Sequence, residues 1–239
     1  DPSITVQPTG TTICSGGNHT LTVVATNGTP SLTYQWSSSI DNITFNTISG
    51  ATSTTYITPA LTQTTYYRVA VSASGNGCTT ITSAVATVVV LSDIFITTQP
   101  VVRTNICSGS TATLNVAASG GSGNYTYQWK SATVLAGPYI NIPGATSSSY
   151  TTPALTQNSY YQVVISDSTQ GCDPVTSNVG AVIIPSIVTQ PVAPATVCVG
   201  GTVSLSTAAS ANGGSATFGY QWQSSPNGTT GWVNVSTGT

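Results

Sequence analysis

Along most of this chain apolar and polar residues trade places at every second position. Leu21, Val23 and Ala25 alternate with Thr22 and Val24, and Leu114 and Val116 flank Asn115. Tyr67, Val69 and Val71 share one side of an extended template, with Arg68 and Ala70 on the other; Tyr161, Val163 and Ile165 repeat that choice. A period of two belongs to a half-buried strand, whereas a helix needs 3.6. The runs are separated by turn-forming stretches: "TNGTP" (26–30), "SGNG" (74–77), "SGGSGN" (119–124) and "SANGG" (210–214). β-branched and aromatic residues dominate the runs, which favours strands further. The pattern predicts an all-β chain with almost no helix.

The pattern also recurs. "GATSTTYITPALTQTTYY" (50–67) returns as "GATSSSYTTPALTQNSYY" (144–161), identical at 13 of 18 positions. "VQPTGTTICSGG" (6–17) returns as "TQPVVRTNICSGS" (98–110) and "TQPVAPATVCVGG" (189–201), and "YQW" stands at 34–36, 127–129 and 220–222. A repeat of 91 to 94 residues suits one β-sandwich module of about 100 residues. The expected modules are 1–92, 93–185 and 186–239, the last being the N-terminal part of a third. That third stretch carries its "YQW" and Trp232 but no "TPALTQ" half. Half a sandwich cannot bury its face, so the expectation is a piece of a longer array or completion by another chain.

Composition narrows the function. The 239 residues include only three basic and five acidic side chains, and neither Glu nor Met. Ordinary domains are about 25 % charged. Ser and Thr make up roughly a third of the chain, so hydroxyls and amides keep the surface wet. Disorder fits poorly, because it needs low hydrophobicity and high net charge, and here 39 % is hydrophobic at a net charge of −2. With three basic residues there is no patch to neutralise phosphates, so no nucleic-acid partner is expected. No run of 18 apolar residues exists, so no membrane insertion is expected. The opening "DPSITVQP" lacks a basic-then-apolar leader, as in a mature chain or an internal piece.

One tryptophan and one corner tyrosine per repeat give these units a resemblance to immunoglobulin-like sandwiches. Those place a Trp on the third strand and a Tyr at the turn into the sixth. Trp36, Trp129 and Trp222 fit the first position as core residues, and Tyr67 and Tyr161 fit the second. The wider pattern "iCsGg…YqW…GATs..Y.TPALT…YY.v.vs…GC..i.S" resembles the bacterial immunoglobulin-like repeats of large surface proteins in Bacteroidota. That resemblance implies secretion, often by the type IX route, and a place at the cell surface as an adhesin or filament component. It also implies O-glycosylation at Ser168 in "DST" (167–169). One departure stands out: Val23, Val116, Val69 and Val163 occupy the places of the antibody disulfide, so the cysteines serve elsewhere.

The cysteines are Cys14, Cys78, Cys107, Cys172 and Cys198. Repeated cysteines in a secreted-looking chain read as disulfides, while zinc would want closer spacing or histidines, and His19 is alone. Two pairings stay open. Separations of 64 and 65 residues suggest one bridge per module, Cys14–Cys78 and Cys107–Cys172. In an immunoglobulin sandwich, however, those two places lie at opposite ends. Cys14 with Cys172 would then join adjacent modules, and Cys107 would reach into the third.

Catalytic chemistry has little to work with. No catalytic, cofactor-binding or metal site is expected. Asp167 and Asp173 flank one hairpin; they read as turn formers, with a weak calcium site as the rival reading. Lys130 has no counterpart at Ser37 or Gln223, and reads as an outward strand residue. Six Asn-x-Ser/Thr sequons, at Asn18, Asn27, Asn42, Asn124, Asn227 and Asn234, carry little information in so Ser/Thr-rich a chain. Tyr66 and Tyr160 are expected to face outward, against a neighbouring strand or a sugar. The expected function is a non-enzymatic, extracellular stalk or filament whose partners are neighbouring modules or copies of the same protein. The alternative is an adhesin that holds surface glycans through loops at module ends. An accessory module of an enzyme is a third reading. The end loops differ between repeats ("ATNGTPSL", "ASGGSGNY", "ASANGGSATFGY"), which favours the structural role over one shared ligand.

Overall fold

The computed structural model describes residues 1–28, 31–74, 79–192, 196–210 and 217–236, and among these every regular element is a β-strand. The first repeat contains β1 (Ser3–Val6), β2 (Thr11–Cys14), β3 (Thr20–Thr22), β4 (Val24–Thr26), β5 (Leu32–Ser39), β6 (Asn46–Thr47), β7 (Thr55–Ile57), β8 (Thr65–Ala73), β9 (Ile81–Thr82) and β10 (Ala86–Leu91). One layer pairs β1 with β4 and β3 with β7; the facing layer runs β2-β10-β8-β5-β6, with β9 against β8. The second repeat follows the same order with β11 (Phe95–Thr98), β12 (Arg103–Asn105), β13 (Thr113–Asn115), β14 (Ala117–Ser119), β15 (Tyr125–Ala132), β16 (Ile140–Asn141), β17 (Ser149–Thr151), β18 (Ser159–Asp167), β19 (Val175–Thr176) and β20 (Gly180–Ile183). Beyond it, β21 (Ser186–Thr189) pairs β22 (Ala208–Ser210), and β23 (Gln223–Ser224) pairs β24 (Val233–Asn234).

The alternation read from the sequence becomes the core. Along β8, Thr65, Tyr67, Val69 and Val71 are buried while Tyr66, Arg68 and Ala70 are half-buried on the other face. β18 repeats this residue for residue. Trp36 and Trp129 are fully enclosed, Trp36 among Leu21, Val23, Val69 and Val71. Burying an indole leaves one polar N–H to satisfy. Here Trp36 Nε1 donates to the Ser53 carbonyl at 2.9 Å and Trp129 Nε1 to that of Ser147 at 2.8 Å. Ring packing continues outward: Trp36 stacks on Tyr56 at 6.1 Å, and Tyr56 meets Tyr67 at 5.8 Å. Burial, helped by the neighbouring Tyr56, pushes the Tyr67 phenol up to about 12.

Most recurring polar letters have a single task, which is to satisfy backbone that the sheets leave open. In "YQW", Gln35 donates to the carbonyls of Trp36 (3.1 Å) and Ile48 (2.8 Å), and Gln128 does the same with Trp129 (2.8 Å) and Ile142 (2.9 Å). In "QP", the Gln7 side chain accepts from Ala84 N–H (2.8 Å), as Gln99 accepts from Asn178 (2.9 Å). Ser83 and Ser177 accept from the N–H groups of Val69 and Val163, each at 3.0 Å, where β8 and β18 lose their neighbour. Thr58 and Thr152, both buried, accept from His19 and Ala112.

The segment after Trp222 differs from expectation. Trp222 is half-buried and Trp232 is exposed, where Trp36 and Trp129 are enclosed. The physical reason is cover. β8 lies along β5 from Leu32 to Ser39, and β18 along β15, but no described strand lies beside Trp222 in that way.

Two substitutions test the core. Trp36→Ala is expected to lower unfolding free energy by about 3–5 kcal/mol, a cavity-forming loss. Gln35→Leu is expected to cost about 0.5–1.5 kcal/mol, because the carbonyls of Trp36 and Ile48 lose the side-chain donor but keep the N–H groups of Ile48 and Ala51. Urea unfolding followed by circular dichroism measures both.

Candidate functional site

Strand direction decides where the cysteines lie. β2 runs parallel to β10, with Val88 opposite Thr11 and Leu91 opposite Cys14. Cys14 therefore sits beside the last strand residue of its repeat, next to the junction. β18 runs antiparallel to β15, with Tyr125 opposite Asp167, so the hairpin holding Cys172 emerges at the other end of the second repeat. The two ends meet at the junction, and Cys14 and Cys172 are joined by a disulfide with Cα atoms 5.0 Å apart. Of the two pairings left open by the sequence, the one-bridge-per-module scheme is thus set aside for these two cysteines. Cys107 and Cys198 carry free, exposed thiols, and Cys78 lies outside the described residues.

The disulfide is embedded in a docked hairpin. Ile13 forms a parallel β-bridge with Gln170, and Cys14 N–H donates to the Gln170 carbonyl at 2.8 Å. The Gln170 side-chain amide donates to the Asn18 carbonyl at 2.8 Å. Gly171 has φ of +84° and lies so near Gly17 that an added Cβ would come within 2.8 Å of its Cα. A second contact lies beside it. Gly121 N–H donates to the Ser92 carbonyl at 2.8 Å, and a Cβ on Gly120 would strike the Asp93 carbonyl oxygen at 2.0 Å. Ile94, 4 % exposed, plugs the connecting segment into the core of the second repeat.

Asp167 ties the two contacting loops together. Its carboxylate accepts from Ser122 N–H (2.7 Å), the Ser122 hydroxyl (2.9 Å) and Thr169 N–H (2.8 Å). Partial burial works to raise its pKa, but the hydrogen bonds from Thr169 and Ser122 outweigh it and hold the group at about 2. Asp173, at the far side of the same hairpin, is exposed, and among the described residues no cluster of three His, Cys, Asp or Glu could hold a metal. His19 sits with Nε2 3.1 Å from the Thr9 carbonyl and its backbone N–H on Thr58, a structural setting. Ser168 is exposed beside the docked hairpin, and Lys130 lies on β15 opposite Gln162 and Asn141. Tyr66 and Tyr160 are half-buried on the outer face of their strands. An open cleft of about 590 Å³ between Val134, Pro138, Ile140, Tyr150 and Tyr161 is lined by no acid, histidine, lysine or cysteine.

Gln170, Ser122 and the glycines at 120 and 171 escaped the sequence reading, and Asn18 entered it only as a sequon, not as a junction residue. One signal could have found part of this set: glycine directly precedes cysteine at both 77–78 and 171–172.

Two packed layers, this strand order and an end-to-end repeat define a tandem immunoglobulin-like β-sandwich protein. The chain belongs to the family described as domain of unknown function DUF8696, which matches residues 4–92 and 99–186. No curated protein matches the sequence. Among solved structures, the three N-terminal domains of the bacteriophage RB49 outer capsid protein Hoc align at a TM-score of 0.54 with 14 % identity, covering 77 % of this chain and 69 % of that one. The titin I-band fragment I67–I69 aligns at 0.51 with 11 % identity, covering 80 % and 69 %. Sidekick-1 immunoglobulin domains 1–5 align at 0.45 with 16 % identity, covering 80 % of this chain, which spans only 41 % of theirs. At such identities the likeness to the Hoc and titin fragments establishes the fold alone.

The Asp167 tie has a pH signature. A carboxyl held at about 2 in the folded chain contributes stability above its ordinary 3.8, lost as pH falls from there toward 2. Amide exchange at Ser122 and Thr169 is expected to lose protection over that interval, and to lose it at all pH values in Asp167→Ala.

Proposed function

We propose that this chain is part of a non-enzymatic extracellular array on a bacterial surface, in which disulfide-stapled immunoglobulin-like modules act as a stiff spacer, as a stalk or as a filament. The observation that supports it is the junction. A covalent bond, a β-bridge and backbone hydrogen bonds cross between the repeats within a few residues of Cys14. Closing so long a loop stabilises the joined pair by roughly 5 kcal/mol in the chain-entropy account. A disulfide that spans repeats fits an oxidising, extracellular setting. In this reading the modules are 1–92, 93–185 and the start of a third, and Ser168 is an exposed acceptor for a glycan.

Adhesion through end loops is the second reading, and the junction weighs against it. The loop at Gly120–Asn124 and the hairpin at Ser168–Cys172 are the loops that an adhesive sandwich would present, yet both are turned against the preceding repeat. Partners in the proposed role are neighbouring modules and further copies of the protein.

Small-angle X-ray scattering of the full chain tests the spacer. The oxidised protein is expected to give one elongated envelope. Cys14→Ser is expected to broaden the pair-distance distribution while each repeat melts as before. A folded-back envelope for the oxidised protein would overturn the reading.

A further inference from the structure

The second repeat carries a copy of the turn that the first repeat uses to receive its neighbour. After β2, Gly16 N–H donates to the Leu61 carbonyl (2.8 Å), and Gly17 N–H closes the turn on the Cys14 carbonyl (3.0 Å). After β12, Gly109 N–H donates to Leu155 (2.7 Å), and Ser110 N–H closes on Cys107 (3.0 Å). The backbone is thus built the same way twice, around "ICSG" in both. The difference is what covers it. Cys14 and Ile13 are fully buried beneath the hairpin of residues 168–173, whereas Cys107 is exposed and Ile106 only partly buried. In the occupied copy the equivalent residues already hold a ligand, by one covalent bond, one β-bridge and one backbone hydrogen bond.

We propose that the turn at Ile106–Ser110 is a docking socket for a Gly-Cys hairpin from a module of this same repeat family, which seats a backbone carbonyl on Cys107 N–H and closes a disulfide with Cys107. The occupied copy specifies the occupant. It presents a carbonyl two residues before its cysteine, as Gln170 does, and glycine between them with a positive φ, as Gly171 does. Ser110 stands where Gly17 stands, a place where a Cβ comes 3.3 Å from the Gln170 carbonyl oxygen, so the guest hairpin rides a few tenths of an ångström further out. Closing the bond removes one hydrogen from each thiol; a disulfide oxidant accepts both and is reduced to two thiols. Such pairing makes every junction alike, with the turn of one module locked to the hairpin of the next. It does not depend on whether the array is a spacer or an adhesive arm.

The test uses the full chain carrying Cys78→Ser and Cys198→Ser, so that Cys107 is the free thiol. The probe is a backbone-cyclised peptide of residues 165–175 whose cysteine is a mixed disulfide with glutathione. Attack by Cys107 forms the new S–S bond and releases glutathione as a thiol. The peptide is expected to add to Cys107 about tenfold faster than a scrambled peptide bearing the same mixed disulfide, because docking raises the local concentration. Replacing the peptide's glycine (Gly171→Val) is expected to abolish that advantage. Equal rates for native and scrambled peptides, adduct from neither, or an advantage that survives the valine would overturn the proposal.

Discussion

The direction of two strands governs the assembly. The first segment of each repeat starts in one layer, on β4 or β14, and crosses at Gln7–Pro8 or Gln99–Pro100 to run parallel to β10 or β20. Proline cannot donate to a ladder, so it suits the crossing, and the preceding glutamine pins it to the opposite edge. In the first repeat the crossing is tight: a Cβ on Gly10 would lie 1.9 Å from the Thr87 carbonyl oxygen. Because β12 ends beside the end of β20, and β18 ends beside the start of β15, Cys107 and Cys172 lie at opposite ends of the second sandwich. A bond within the second repeat is excluded by this geometry, and the bond between Cys172 and Cys14 of the preceding repeat is offered by it.

Much of the fold was legible because its signals were periodic. Alternation at Tyr67, Val69 and Val71 placed β8, and the first two copies of "YQW" placed the central strands β5 and β15 with their indoles. The disulfide partner was not legible from spacing, since separations of 64 and 65 residues suit either scheme and only strand direction separates them. The docking residues were harder still. Gln170, Asn18 and Ser122 act through backbone carbonyls or loop N–H groups, and in a chain one-third Ser and Thr another polar loop residue carries no signal. The core role expected of Trp222 depends on a covering strand that no described residue supplies. The recurring Gln of "QP" and the Ser of "TS" were visible as repeats, but their task, closing gaps in a neighbouring ladder, needs the sheets to be known first.

The chain does with neutral groups what most surfaces do with charge. Glutamine, serine and threonine side chains bond backbone at the same positions in both repeats, each bond worth about 1 kcal/mol and little screened by salt. Arg68 lies over the Phe45 ring at 4.0 Å from its centroid, a contact that spends no carboxylate. Asp167 is the main exception, and it too serves backbone donors. A framework of this kind holds its shape across a wide range of ionic strength.

The cross-link has a mechanical corollary. Cys14 and Cys172 lie 158 positions apart in the chain but share one bond. Tension applied at the two ends of the paired repeats passes from β2 straight through that bond into the hairpin before β19. The intervening polypeptide, nearly both sandwiches, is short-circuited and cannot be drawn out while the bond holds. Extension under load is confined to the short stretches outside the loop, so the joined pair behaves as a nearly inextensible link even if its sheets come apart.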